Sequence, residues 1–386
     1  MLVNMGSGTL EDFYPSVAIA TLMKIIRDPT LFRHHTEVVK AVTYIFKALG
    51  IKSVPYISQV IPSMMSVIRS SDKEFRDFLF QQLGGLISIV QQHIRNYLDD
   101  IFELIKEFWS VESPLQGTII LLVENISQAL GSEFKVYLPQ LIPQILRVLM
   151  HDTSQGRSVT GKLLLALEKF GSTTADYMHL ILPPIVKLFD STEVPNPIRK
   201  KALECIDRLS ESLDFSEYAS RIIHPLVRCL DSTDSKSMEL RPEAMDTLAS
   251  LVVQLGKKYT IFIPMVHKVM IKQKISHQRY ELLCARVMEG GSPSDFEDSM
   301  IRNSSRRRRG GNEGVRGKEP SPAGLTTASS GGVRKQKISE DLRKAWAVSK
   351  RVNKDDWLEW YAGLCRELLK ASPSPALRAC WTVAQW

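Results

Sequence analysis

One stretch of this 386-residue sequence has the spacing of a phosphate-binding loop: Gly156-Arg157-Ser158-Val159-Thr160-Gly161-Lys162 satisfies GxxxxGK. In such a loop, backbone N–H groups cradle the phosphates, the lysine reaches them, and a hydroxyl next in sequence holds Mg²⁺. Here Leu163 stands where the hydroxyl belongs, and no strand pattern leads into the loop. The residues read instead as the start of an ordinary helix. The histidines, among them His34, His35, His151, His179, His224 and His267, fall into no HExxH or other metal-ligand spacing. Cys205, Cys229, Cys284, Cys365 and Cys380 form no CxxC pair and read as small buried apolar side chains. There is no GxSxG elbow, no GxGxxG loop and no HRD or DFG element. The expectation is a chain with no catalytic, cofactor-binding or metal-binding residue of its own.

The remaining chemistry is charge. Of the formal +8, residues 290–337 supply ten Lys/Arg against five Asp/Glu, including Arg306, Arg307, Arg308 and Arg309 in a row. Nine glycines and many serines make that stretch read as a disordered linker. The arginine run is either a nuclear-import or anion-binding patch or a solvated insertion, and the second reading is the commoner one. Ser304, Ser305 and Ser321, beside basic residues or before Pro322, are candidate phosphorylation sites. Outside the linker the charge is nearly balanced, which gives no broad footprint for nucleic acid or an anionic membrane. The longest uncharged stretch, Phe78 to Ile94, is 17 residues and holds four Gln and a His, so no transmembrane segment is read. The first ten residues lack a secretory signal pattern and read as a flexible end.

Seven of the ten tyrosines set the frame on which all of this sits. Tyr14, Tyr56, Tyr97, Tyr137, Tyr177, Tyr218 and Tyr259 are spaced by 42, 41, 40, 40, 41 and 41 residues. An apolar helical pattern follows each, with a proline five to seven residues on in Pro62, Pro143, Pro183, Pro225 and Pro264, which would bend that helix or begin it. Aspartates close several of these segments: Asp28, Asp152, Asp190 and Asp231. A second helical pattern precedes each tyrosine. It is clearest at Pro197 to Leu213, where Ile198, Ala202, Cys205, Ile206, Leu209 and Leu213 share a face, Asn196 suits an N-cap and Pro197 an N1 position. Gly50, Gly131 and Gly171, six residues before their tyrosines, fit left-handed helix C-caps. A helix pair repeated about every 41 residues predicts an all-α HEAT-type solenoid over residues 11–289, with the tyrosines as structural repeat markers. Helix pairs of this kind bury their apolar faces only by stacking, so the surface they offer is extended and suits protein partners.

From Ile338 order is expected again: five of the six tryptophans fall in the last 41 residues, and helices start at Asn353 and Ser374. The second of these is still running at Trp386, which reads as a fragment of a longer helical domain.

Particular strings then suggest a family. FLFQQLG (Phe78 to Gly84), EFKVYLPQLIP (Glu133 to Pro143), DRLSESLDFSEYASRIIHPLVRCLD (Asp207 to Asp231), QLGKKYTIFIPMVHKV (Gln254 to Val269), HQRY (His277 to Tyr280) and VNKDDWLEW (Val352 to Trp360) resemble the target-of-rapamycin kinases. The resemblance covers residues 9–290 and 338–386. It implies the middle HEAT segment and the beginning of the FAT domain of a phosphatidylinositol-kinase-related serine/threonine kinase. It also implies a non-catalytic scaffold, with raptor- or rictor-type subunits and a second kinase protomer as partners in a homodimer. The implied location is cytoplasmic, with recruitment to lysosomal or other endomembrane surfaces and to the nucleus. The ATP and Mg²⁺ of the parent kinase would bind elsewhere. The same repeat would also suit an independent HEAT adaptor of the transport-receptor or phosphatase-scaffold type.

Overall fold

The computed structural model describes residues 10–110 and 113–291, and every regular element among them is helical. The chain divides into two compact units at Leu98 and Asp99.

In the first unit, α1 (Leu10–Arg27) packs beside α3 (Ile57–Ser70), and α2 (His35–Leu49) beside α4 (Lys73–Val90). The two rows close on each other through α1 against α2 and α3 against α4. Between them Ile19, Val38, Phe46, Ile61, Phe80 and Leu83 are completely buried. Each such side chain contributes roughly 1.5–3 kcal/mol when removed from water. That is why helices too short to persist alone hold here.

The second unit continues the plan. Its helices are α5 (Leu98–Phe108), α6 (Gln116–Leu130), α7 (Leu138–His151), α8 (Ser158–Phe170), α9 (Met178–Asp190), α10 (Asn196–Ser210), α11 (Ala219–Asp231), the single turn α12 (Ser235–Met238), α13 (Arg241–Leu255), α14 (Ile263–Gln273) and α15 (Gln278–Met288). Helices α6, α8, α10, α13 and α15 pack in file as a first row, and α7, α9, α11 and α14 as a second. Side chains such as Phe134, Phe189, Leu226 and Leu248 fill the space between. This is the predicted all-α solenoid of stacked helix pairs.

The face read from Ile198 to Leu213 is buried throughout. The cap is displaced by one: Pro195 is the N-cap, so Asn196 and Pro197 lie inside α10. The Asn196 amide instead donates to the Lys236 carbonyl (3.0 Å) and to Glu239 Oε2 (2.7 Å), joining α10 to the next repeat.

The turn between the helices of a pair is a 3-10 segment opened by a residue with positive φ. Gly50, Gly131, Gly171 and Gly256 have φ between +49° and +57°. Their ψ lies between −126° and −130°, which differs from the left-handed helical cap expected from the sequence. The difference matters because the chain must turn straight into a 3-10 segment, and only this half-turned backbone points it there. Gln91 holds the same place with φ 53° and ψ −132° despite its Cβ.

One junction breaks the pattern. Ser212 stands where the period would put a glycine, no residue there has positive φ, and α10 passes to α11 through an irregular turn. Gln254 of α13 holds that turn together: its amide donates to the carbonyls of Ser210 (2.6 Å) and Leu213, and its Oε1 accepts from the Phe215 N–H (3.1 Å).

The prolines divide the same way. Pro62, Pro143, Pro183 and Pro225 sit inside their helices, whereas Pro264 begins α14. The interior ones fall in the first two turns, where the carbonyl they leave without a donor can meet solvent.

Candidate functional site

The GxxxxGK stretch has the geometry of a self-capped helix start. Gly156 and Arg157 both adopt the left-handed conformation, and α8 begins at Ser158 after the helix α7. The N–H groups that a phosphate would need are already taken. Asp152 Oδ2 accepts from the Thr160 N–H and hydroxyl, each at 2.7 Å, and Ser154 Oγ accepts from the Val159 N–H at 3.2 Å. Burial pushes the Asp152 carboxyl up, but the bonds from Ser154 and Thr160 together outweigh it and hold the group below its ordinary value. A carboxylate seated on a helix N-terminus uses the dipole that would otherwise attract an anion. Lys162 reaches away from the loop and lies across Gly117 of α6, where a Cβ would stand 2.6 Å from its Nζ.

Of the histidines, His35 is buried with Nε2 at 3.0 Å from the Asp28 carbonyl, and His277 caps α15 by accepting from the Tyr280 N–H. Among the described residues no cluster of His, Cys, Asp and Glu could hold a metal. Cys205, Cys229 and Cys284 are buried and unpaired, and burial pushes each thiol up.

The tyrosines mark the junction between the 3-10 turn and the second helix. Tyr56, Tyr137, Tyr177 and Tyr218 are the N-cap residues of α3, α7, α9 and α11, and Tyr97 ends the turn before α5. Tyr14 lies within α1. Tyr259 is a correction: it sits three residues earlier, completely buried, and Phe262 takes the junction. Three residues more between the turns of this repeat and the last one bring Tyr259 to the inward place held by Phe134 and Thr174. Its hydroxyl lies 3.2 Å from that of Tyr280, and burial pushes both phenols well above the ordinary range. Ser304, Ser305, Arg306, Arg307, Arg308, Arg309 and Ser321 lie outside the described residues.

The sequence reading missed a second period, in cations. At the start of α4, α8, α10 and α13 an arginine donates to the carbonyl end of the helix before it. Arg76 Nε reaches Ile68 (2.8 Å), Arg157 Nη2 Leu149 (2.6 Å), Arg199 Nε Phe189 (3.0 Å) and Arg241 Nη2 Ser232 (3.0 Å). His35 holds the same place before α2. A cation at a helix C-terminus meets both open carbonyls and the negative end of the dipole. Arg199 is the extreme case: it is 1% exposed and pairs with no carboxylate among the described residues, its other nitrogens reaching Asn196 Oδ1 (3.3 Å) and Ser237 Oγ (3.0 Å).

Near the end of α7, α9, α11 and α14 stands a further cation, and on α7, α11 and α14 it reaches sideways to the end of the helix before. Arg147 donates to the Trp109 carbonyl (2.7 Å), Arg228 to Asp190 (2.8 Å) and Lys272 pairs with Asp231 (2.7 Å). The row as a whole is basic. Helices α7, α9, α11 and α14 hold Arg147, Lys187, Arg221, Arg228, Lys268 and Lys272 against only Asp190 and Asp231. The first-row helices α6, α8, α10 and α13 carry seven basic and six acidic residues. A chain-wide balance conceals this segregation.

Comparison with known proteins places this architecture. A family model described as the serine/threonine-protein kinase mTOR domain matches residues 1–91. The serine/threonine-protein kinase mTor of Drosophila melanogaster is 51% identical over 100% of the chain. The kinase tor1 of Schizosaccharomyces pombe is 40% identical over 96% of it, and the TOR kinase of Arabidopsis thaliana 36% over 98%. In each case the chain spans about 15% of the relative's own length. Among solved structures, one of Kap95p with RanGDP aligns over 72% of this chain and 36% of its own with a TM-score of 0.55 at 13% identity. A structure of importin beta aligns over 72% of this chain and 38% of its own with a TM-score of 0.51 at 11% identity. At that identity the likeness concerns the solenoid fold alone.

Proposed function

We propose that this chain, which belongs to the target-of-rapamycin family of serine/threonine-protein kinases, is a non-catalytic scaffold segment of such a kinase. It gives dimerisation surface and surface for raptor- or rictor-type subunits in nutrient and growth-factor signalling. In this reading residues 11–289 are the HEAT segment, 290–337 a basic linker carrying the regulatory serines, and 338–386 the start of the FAT domain. ATP and Mg²⁺ belong to the kinase domain of the parent. The parent works in the cytoplasm, at lysosomal or other endomembrane surfaces, and in the nucleus.

One observation supports the reading above the rest. The polar side chains that could have served chemistry are spent on helix ends: Asp152 on α8, Arg199 on α9, His277 on α15. What the fold leaves free is the outward face of packed helices, and extended helix faces are protein-binding surface. The test is direct. The isolated chain, with its helical circular dichroism verified, is immobilised and exposed in turn to raptor, rictor and the amino-terminal HEAT segment of a target-of-rapamycin kinase. Saturable binding to at least one is expected, and binding to none refutes the scaffold role.

A further inference from the structure

The lateral ladder of second-row cations is interrupted at one step. Arg147, Arg228 and Lys272 each bridge to the helix before them, but Lys187 of α9, in the same register, makes no ion pair or side-chain hydrogen bond among the described residues. Its counterpart would be Asp152 at the end of α7, and that carboxylate is turned inward onto Thr160.

A cleft of about 580 Å³ opens at this same step. Met150, Pro183, Pro184, Leu188 and Val194 give it an apolar lining, Arg157, Lys187 and His151 bring basic groups, and Glu193 is the carboxylate on its rim. Met150 is 51% exposed, unusual for so apolar a side chain. Pro183 and Pro184 follow each other inside α9 and have no N–H to give to the carbonyls of His179 and Leu180. Helical carbonyls point along the axis toward the residue four places on. These two carbonyls therefore lack their usual helical donors.

We propose that this cleft, with the basic row that runs on from it along α11 and α14, is the docking site of an extended acidic segment of a partner protein. An apolar side chain of the segment enters between Met150 and Val194. Its carboxylates meet Lys187 and, further on, Arg221 and Lys268, none of which has an ion-pair partner among the described residues. Charge complementarity selects this occupant: an apolar peptide would leave the cations unmatched, and a free anion would leave the apolar cleft unfilled.

The proposal rests on the scaffold reading only in taking the ligand to be a protein. Its test uses the full 386-residue chain and a fluorescein-labelled decapeptide of alternating aspartate and leucine. Two control peptides carry asparagine or lysine in place of aspartate. Anisotropy titration at low salt should show saturable binding of the aspartate peptide, at least about tenfold tighter than the asparagine peptide and weakening as salt rises. Lys187→Glu should lower that affinity about three- to tenfold and improve binding of the lysine peptide. Val194→Arg, which fills the cleft, should abolish binding, and the Met150 methyl resonance should shift on titration of the unaltered chain. Equal binding of the aspartate and asparagine peptides overturns the proposal, as does an unchanged Lys187→Glu affinity or a Met150 methyl that does not move. Loss of raptor and rictor binding with this pattern intact would refute the scaffold partners alone.

Discussion

Gln91 and Gly131 occupy the same point of successive repeats, and exchanging their residue types isolates one energetic term. Gln91 has φ 53° and ψ −132°; Gly131 has φ 57° and ψ −127°. A residue with a Cβ in this region carries strain on the order of 1–3 kcal/mol. Glycine removes the strain but loses about 0.5–1 kcal/mol through the freedom it gives the unfolded chain. The exposed Gln91 side chain adds a bond to the Ser88 carbonyl, worth about 0.5 kcal/mol at the low end of the range for such bonds. At the midpoints of these terms Gln91→Gly is stabilising by about 0.75 kcal/mol, and the extremes run from about 0.5 kcal/mol destabilising to about 2 kcal/mol stabilising. Gly131→Ala should cost about 1.25 kcal/mol at the same midpoints, with extremes of about 0 and 2.5 kcal/mol. An added Cβ there meets nothing within 4 Å, so no collision contributes. Because solenoid repeats can open separately, native-state hydrogen exchange is the assay, with amides of α4 and α6 as reporters. Slower exchange in α4 for the first variant and faster exchange in α6 for the second are expected. Protection in α6 unchanged by Gly131→Ala would refute the argument that backbone conformation, and not space, demands glycine.

Three further predictions follow from groups already placed. A double-mutant cycle on Arg228 and Asp190, whose side chains are 61% and 32% exposed, should give a coupling of about 0.2–1 kcal/mol that fades in molar salt; a larger, salt-independent value would mean the pair is not solvated. Asp152, Asp214 and Asp231 all titrate below the ordinary 3.8, so their contribution is complete above that pH and is lost as pH falls through the lowered values. Urea midpoints should therefore drop below about pH 4, and Asp152→Asn should flatten part of the drop; an equally steep drop would exclude Asp152. Tyr259→Phe removes one of the two hydrogen-bond partners of the Tyr280 hydroxyl, the other being Cys284, and should cost about 0.5–1.5 kcal/mol, while adding Tyr280→Phe should cost less than the sum of the single changes; strict additivity in chemical denaturation would show that the hydroxyls do not interact.

The paired helices, their period and the core face of α10 were legible because apolar spacing is local and repeats seven times over. The positive φ of Gly50, Gly131 and Gly171 was legible from glycine alone, but their ψ was not, since ψ depends on where the next helix must go. Tyr259 misled because a count along the chain cannot see three extra residues, and an aromatic three places early falls inward instead of at the junction. The arginine period was present at residues 76, 157, 199 and 241. It went unread because a cation on a helix looks like surface until the preceding helix end is seen against it. The basic row was hidden for a related reason: charge summed along a sequence averages two faces that the fold separates.

The glycine-less turn between α10 and α11 makes one repeat a tenant of the next. Here Gln254, about one repeat downstream, supplies the clamp. Loosening of α13 must release the chain around Phe215 as well. The stack therefore has a preferred place to come apart, where two layers leave together, and a ligand or modification that steadied α13 would be felt across that seam without touching it.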